Sequence, residues 1–117
     1  MKPFSIASRQ AGAITVLDVR GSVTMGESSK ELRRALEEVA SSGSKYVLLD
    51  LAEISYLDSS GLGSLLVGHN SLKSGGGSIG LLRAPVHILE LLELSRLTSV
   101  FRLFDSEEEA TRQFSAS

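Results

Sequence analysis

Apolar positions along this chain change period several times, and each change marks an element. Phe4 and Ile6 lead a segment that ends at Gln10-Ala11-Gly12, after which Ile14, Val16, Asp18 and Arg20 alternate with Thr15, Leu17 and Val19. A period of two belongs to a strand, and apolar side chains on both of its faces predict cover from both sides. The turn at Ala11-Gly12 is short, so the first two strands are expected to form an antiparallel hairpin. Gly21 to Gly26 reads as a loop. Leu32, Ala35, Leu36, Val39 and Ala40 then fall at i, i+3, i+4, i+7 and i+8, the stripe of a half-buried helix. Ser28 and Glu31 have the spacing of a capping box at its start, and Ser42-Gly43 supplies a glycine stop.

The second half repeats a simpler alternation. Tyr46-Val47-Leu48-Leu49-Asp50-Leu51 is an apolar run of strand length, the signature of a central strand buried on both faces. Ala52 to Tyr56 reads as a short connection. Leu62, Leu65, Leu66 and His69 share one face of a second helix that stops at Ser74-Gly75-Gly76-Gly77. Ile79-Gly80-Leu81-Leu82 is a third apolar run, and Pro85 suits the first turn of a helix over Val86 to Leu94. Val100, Phe101, Leu103 and Phe104 predict a last short strand. Ser106 with Glu109 opens a terminal helix, whose end from Gln113 to Ser117 is expected to fray. The order is β-β-α-β-α-β-α-β-α. It predicts an α/β fold: a mixed, mostly parallel sheet with an N-terminal antiparallel hairpin and helices packed on it, as a single domain over residues 1–117.

Composition narrows the chemistry. With 117 residues, no cysteine and a net charge of -2, the chain has no thiol chemistry, no disulfide and no bulk basic footprint for nucleic acid. It holds no apolar stretch of about 18 residues that would span a membrane. The N-terminus lacks the apolar core of a signal peptide, so a cytoplasmic location is expected. No cofactor or metal is expected either. The nucleophile elbow is absent, because Leu57 stands two residues before Ser59. There is no Gly-Lys-Ser/Thr of a phosphate-binding loop, and Gly61-Leu62-Gly63 meets Leu66 where a dinucleotide fingerprint needs a glycine. Glu107, Glu108 and Glu109 complement a helix dipole. A hydrolase built on Ser59 would need His69 or His87 as its base, and single helical histidines are more often packing residues. No enzyme is expected.

One segment stands out. Leu57-Asp58-Ser59-Ser60-Gly61 follows a strand and immediately precedes a helix, at the carboxyl edge of the sheet where such folds place functional groups. Asp58, Ser59 or Ser60 alone would serve as an N-cap, and that plain reading accounts for the residue types. The same geometry exposes a hydroxyl at a helix start, where an added phosphate meets free N–H groups and the positive dipole end, with Asp58 opposing it.

In the run from Val47-Leu48-Leu49-Asp50-Leu51 through Tyr56-Leu57-Asp58-Ser59-Ser60-Gly61-Leu62-Gly63 to Gly75-Gly76, the chain resembles the STAS domain family, in particular the small stand-alone bacterial anti-sigma-factor antagonists. The resemblance implies a protein-binding switch in transcription regulation. An anti-sigma factor with serine kinase activity would phosphorylate Ser59 and let go, a PP2C-type phosphatase would reset the serine, and the unmodified protein would hold the anti-sigma factor. It implies a partner surface of Asp58, Ser60, Gly61 and Leu62 with the loop carrying Ser22, Thr24 and Met25. Many members have an acidic residue where this chain has Thr24, with Glu27 the nearest carboxylate. An alternative within the same fold is a non-phosphorylated scaffold, or a nucleotide- or lipid-binding module. That alternative draws on the excess of apolar residues between Val86 and Leu97.

Overall fold

A computed structural model describes residues 3–115. Its elements are β1 (Ser5–Ala11), β2 (Ile14–Val23), α1 (Glu27–Ser41), β3 (Tyr46–Asp50), β4 (Ile54–Leu57), α2 (Ser59–Ser74), β5 (Ser78–Leu82), α3 (Val86–Leu94), β6 (Arg102–Phe104) and α4 (Glu107–Ser115). The sheet runs β1-β2-β3-β5-β6, with β4 added to β2. Only β1 and β2 are antiparallel; β2–β3, β3–β5 and β5–β6 pair in parallel. The register carries Leu17 beside Leu49 and Leu49 beside Leu81. Apolar side chains are thereby stacked across the sheet in rows.

The continuous apolar run of β3 is explained by a layer on each face. Val47 and Leu49 belong to the larger core, where α1, α2 and α3 contribute Leu32, Leu36, Leu65, Leu72, Ile88 and Leu92. Leu48 points the other way, into a smaller core with Ile14, Val16, Phe104, Ala110 and Phe114. Each fully buried leucine stabilises the fold by about 1.5–3 kcal/mol relative to an exposed one.

Four local expectations are corrected. The stretch read as a connection from Ala52 to Tyr56 contains β4, a strand whose burial is not alternating: Ile54 and Leu57 are buried while Ser55 and Tyr56 are exposed. The loop read from Gly21 begins later, because β2 continues through Val23 to pair with β4. The pairing register shifts between Gly21 and Ser22, and Gly21 has φ +85; a Cβ there would meet the Pro3 carbonyl oxygen at 2.6 Å. At α1, Gly26 is the N-cap and no side chain caps the helix. Ser28 lies inside the first turn and turns back on Thr24 instead, accepting its N–H at 2.9 Å and donating to its carbonyl at 3.2 Å. Finally, Gln113 and Phe114 are part of α4 rather than frayed: Phe114 is fully buried, stacked on Tyr46 and edge-on to Phe104. Residues 116 and 117 lie outside the described residues.

Three other expected stops and starts are present. Gly43 has φ +88 just beyond α1, α2 ends at Gly75, and Ser106 Oγ accepts the Glu109 N–H at 3.1 Å. The last strand is shorter than its apolar residues implied. Phe101 enters the larger core before the strand begins at Arg102.

Candidate functional site

The site is built where β4 hands over to α2. Asp58 is the N-cap of α2, in an extended conformation, and its Oδ1 accepts the Gly61 N–H at 2.9 Å. Its other oxygen, Oδ2, accepts the Met25 N–H at 2.9 Å, and its own N–H donates to the Val23 carbonyl at 3.1 Å. One residue therefore fastens the start of α2 to the β2–α1 connection. The Gly61 N–H, followed by that of Met25, holds the Asp58 carboxyl below its ordinary range, because both donors favour the charged form.

Ser59 is the first residue of α2 and is exposed. Ser60 is partly buried, and its carbonyl accepts a hydrogen bond from Ser29 Oγ at 3.2 Å. Ser29 Oγ also contacts Ser64 Oγ at 2.9 Å, and Ser64 Oγ donates to the Ser29 carbonyl at 3.0 Å. These two buried hydroxyls clip α1 to α2 one turn beneath the exposed serine, and each is partnered, as burial of a polar group requires. Deeper in the same interface, Gly68 admits Leu36: a Cβ on it would lie 2.5 Å from Leu36 Cδ1.

Of the residues expected at a partner surface, Ser22, Thr24, Met25, Asp58 and Ser60 surround this junction. Met25 is the most prominent, with 80% of its surface exposed. Ser22 Oγ lies 3.2 Å from Ser55 Oγ, across the β2–β4 pair. Ser22, Thr24 and Met25 line an open groove of about 420 Å³ together with Glu27 and Glu31. Carboxylates thus stand beside Thr24 even though position 24 itself is neutral. Gly61 and Leu62 correct the expectation, since both are buried. Leu62 is only 7% exposed and packs in the larger core, and a Cβ on Gly61 would meet Leu57 Cδ1 at 2.4 Å and Val23 Cγ1 at 2.9 Å. They fix the height and angle of the helix start from beneath the surface.

The histidines lie elsewhere. His69 is ten residues beyond Ser59 on the same helix, a separation of about 15 Å along the axis. Its ring meets Phe101 edge-on, and burial, then Lys73, holds its pKa below the usual histidine value. His87 lines a small groove between β4 and α3 with Tyr56, Leu91 and Leu94. Among the described residues no group of three or more His, Asp or Glu is arranged to hold a metal ion, and no helix is long and apolar enough to cross a membrane.

The sequence pattern missed several participants. Ser29 and Ser64 carry no local signal, because their partnership joins two helices. Tyr56, 53% exposed beside the junction, was hidden inside a supposed connection. Arg9 bridges Asp18 at 3.0 Å and Glu107 at 2.6 Å, docking α4 onto the sheet hairpin through an ion pair between residues far apart in sequence.

Known proteins place this architecture. The sequence profile of the STAS domain matches residues 5–110, and the chain belongs to that family. It is 28% identical over 92 residues to BtrV of Bordetella bronchiseptica, a candidate anti-sigma factor antagonist, covering 79% of each chain. Its fold matches that of a candidate anti-sigma factor antagonist from Thermotoga maritima with a TM-score of 0.86 at 19% identity, covering 94% of each. It also matches the Bacillus cell fate determinant SpoIIAA in its phosphorylated form, with a TM-score of 0.74 at 19% identity, over 93% of this chain and 98% of that one.

Proposed function

We propose that this protein is an anti-sigma-factor antagonist: a binding module, not an enzyme, whose grip on its partner is gated by phosphorylation of Ser59. Unmodified, it holds an anti-sigma factor with serine kinase activity and so frees a sigma factor for transcription. Phosphorylated, it releases that partner, and a PP2C-type phosphatase restores it. The setting for such a cycle is the cytoplasm. The observation that carries the reading is the exposed Ser59 hydroxyl at the first position of a helix whose start is rigidly tied to a neighbouring loop.

The chemistry follows from that placement. An exposed hydroxyl is open to a kinase without unfolding. A phosphate on it adds about -1.5 to -2 charges at a surface already carrying the Asp58 carboxylate, at a helix end that tolerates anions. The fold survives while the contact surface becomes sharply more negative. The partner surface comprises Asp58 and Ser60 with Ser22, Thr24 and Met25, and Glu27 and Glu31 supply acidic charge beside Thr24. What supports an antagonist rather than another STAS module is the relationship to BtrV, together with the Asp58-Ser59-Ser60-Gly61 run.

The test is incubation of the protein with a candidate anti-sigma kinase and ATP, followed by mapping of the phosphorylated residue. Label on Ser59, lost in Ser59→Ala, is expected; label elsewhere or none defeats the phosphoacceptor assignment. A second reading, a constitutive scaffold or a nucleotide- or lipid-binding module, draws on α3, where Val86 and Leu94 are 69% and 84% exposed. Saturable binding of a nucleotide or a lipid vesicle by the isolated protein favours it over the switch.

A further inference from the structure

Two grooves flank the start of α1, and Met25 stands between them as a shared wall. The first is lined by carboxylates, as described. The second, about 290 Å³ in volume, opens between α1 and α2 and is lined by Lys30 and Arg33 with Met25, Ser60 and Gly63. Lys30 and Arg33 lie three residues apart, so they project from one side of the helix. Both are exposed, and neither forms an ion pair with any described residue. By contrast, Arg9 pairs with Asp18 and Glu107, Arg83 pairs with Asp50, and Arg102 lies over the Phe104 and Phe114 rings. In a chain of net charge -2, two exposed cations with no ion pair among the described residues thus line one groove beside an exposed methionine.

We propose that the groove between α1 and α2 is the docking site for an acidic segment of the partner protein, with Lys30 and Arg33 meeting its carboxylates and Met25 meeting an apolar side chain between them. The inference rests on the binding-module reading above and adds the chemistry of the partner. Arginine offers a planar fork suited to a carboxylate, and lysine a mobile point charge. Charge complementarity of this kind steers encounter and excludes partners of the wrong sign. It also supplies the lever for the switch. Ser60 lines the groove, and Ser59 is its neighbour in the chain. A dianion on Ser59 sets negative charge at the mouth of a groove that selects for negative charge, within the roughly 10 Å over which exposed charges are felt at 0.1 M salt.

The experiment uses the intact isotope-labelled protein and a short peptide of glutamates interspersed with leucines, with its glutamine twin as comparison, followed by amide chemical shifts. Saturable shifts confined to residues 25–34 and 60–64 with the acidic peptide, at least roughly tenfold weaker with the glutamine twin, are expected. The double variant Lys30→Glu/Arg33→Glu should lose binding by a similar factor. Arg34→Glu, the same charge change on an exposed residue that does not line the groove, should leave it within roughly twofold. Absence of shifts, equal binding of the glutamine twin, or equal loss in the Arg34 variant overturns the proposal. Because the peptide assay needs no phosphate, its failure leaves the Ser59 labelling test untouched. Failure of that labelling in turn leaves the groove's preference standing.

Discussion

Asp58 accepts the backbone N–H of Met25 at 2.9 Å, joining two loops 33 residues apart through the same carboxylate that caps α2. The two oxygens have separable duties, which substitution can divide. Asparagine is as good an N-cap as aspartate, so Asp58→Asn keeps the Gly61 hydrogen bond through its one oxygen but sets an NH2 donor where Oδ2 accepted the Met25 N–H, and that bond is lost. At neutral pH its denaturation midpoint should fall, but by less than in the alanine variant, while the Met25 amide exchanges faster. Asp58→Ala removes both bonds, and both the midpoint and the protection of the Gly61 and Met25 amides should fall. Equal exchange at Met25 in the parent and the asparagine variant would show that the second oxygen does not hold the loop.

The glycines around the site should respond in opposite directions. A methyl at Gly61 collides with Leu57 and Val23, including the Val23 carbonyl oxygen at 2.9 Å, and backbone has little room to move. Gly61→Ala is expected to destabilise by about 1–3 kcal/mol, the range for overpacking. Gly63 sits two residues further along, within α2, and a Cβ there meets nothing within 4 Å. Gly63→Ala should stabilise by about 0.5–1 kcal/mol through helix propensity alone. Urea denaturation of the two variants separates these signs, and stabilisation by both would mean the Leu57 and Val23 wall yields.

Acid should weaken the protein through His69 and two carboxylates. Gly61 and Met25 hold Asp58 below its ordinary 3.8, and the hydrogen bond from Arg9 holds Glu107 below its ordinary 4.5. A depressed folded-state pKa gives stability that is fully present above the unfolded value and is lost as pH falls through the folded one. Stability should therefore begin to fall just below neutrality, where the unfolded state protonates His69 before the folded state does, and decline further below about pH 5 as the pH passes the unfolded values of first Glu107 and then Asp58. Glu107→Gln should flatten the upper part of that decline and Asp58→Asn the lower part. Denaturation midpoints measured from pH 7 to pH 3 check both. An unchanged slope in the double variant would place the acid sensitivity in other groups.

Much of this molecule was legible in its sequence, and the failures have a common cause. The strands at Ile14, Tyr46 and Ile79 and the helix at Leu32 announced themselves, because burial on a regular element imposes a period that any reader of the chain recovers. Strand β4 imposes none. It is short, its two middle residues are both exposed, and it exists because β2 runs on past Asp18 to offer it an edge. Ser28 matched a capping pattern but spends its hydroxyl on Thr24, since the tight loop offers a nearer donor and acceptor. Phe114 looked like part of a fraying tail until α4 folded back over the sheet and put it against Tyr46 and Phe104. At the site, Asp58 and Ser59 were visible as a helix start. The partnership of Asp58 with Met25 and the burial of Gly61 and Leu62 depend on which strand lies beside which, and no local pattern records that.

The adjacency of Asp58 and Ser59 leads to the last expectation. The cap oxygen of Asp58 already takes the Gly61 N–H, so a phosphate on Ser59 arrives at a helix start whose best donor is in use. It stays solvated and its charge is presented outward instead of being absorbed by the helix. Aspartate at position 59 has a shorter reach and a single charge, so Ser59→Asp should weaken partner binding in the same direction as phosphate but by less, on the order of tenfold, corresponding to about 1.4 kcal/mol. Ser59→Ala should keep full affinity and resist the kinase. Titration calorimetry of the parent, both variants and the phosphorylated protein against the same partner ranks the four. Parent and alanine tightest, aspartate intermediate and phosphoserine weakest is the expected order. Equal affinity across all four would mean that charge at the start of α2 does not control release.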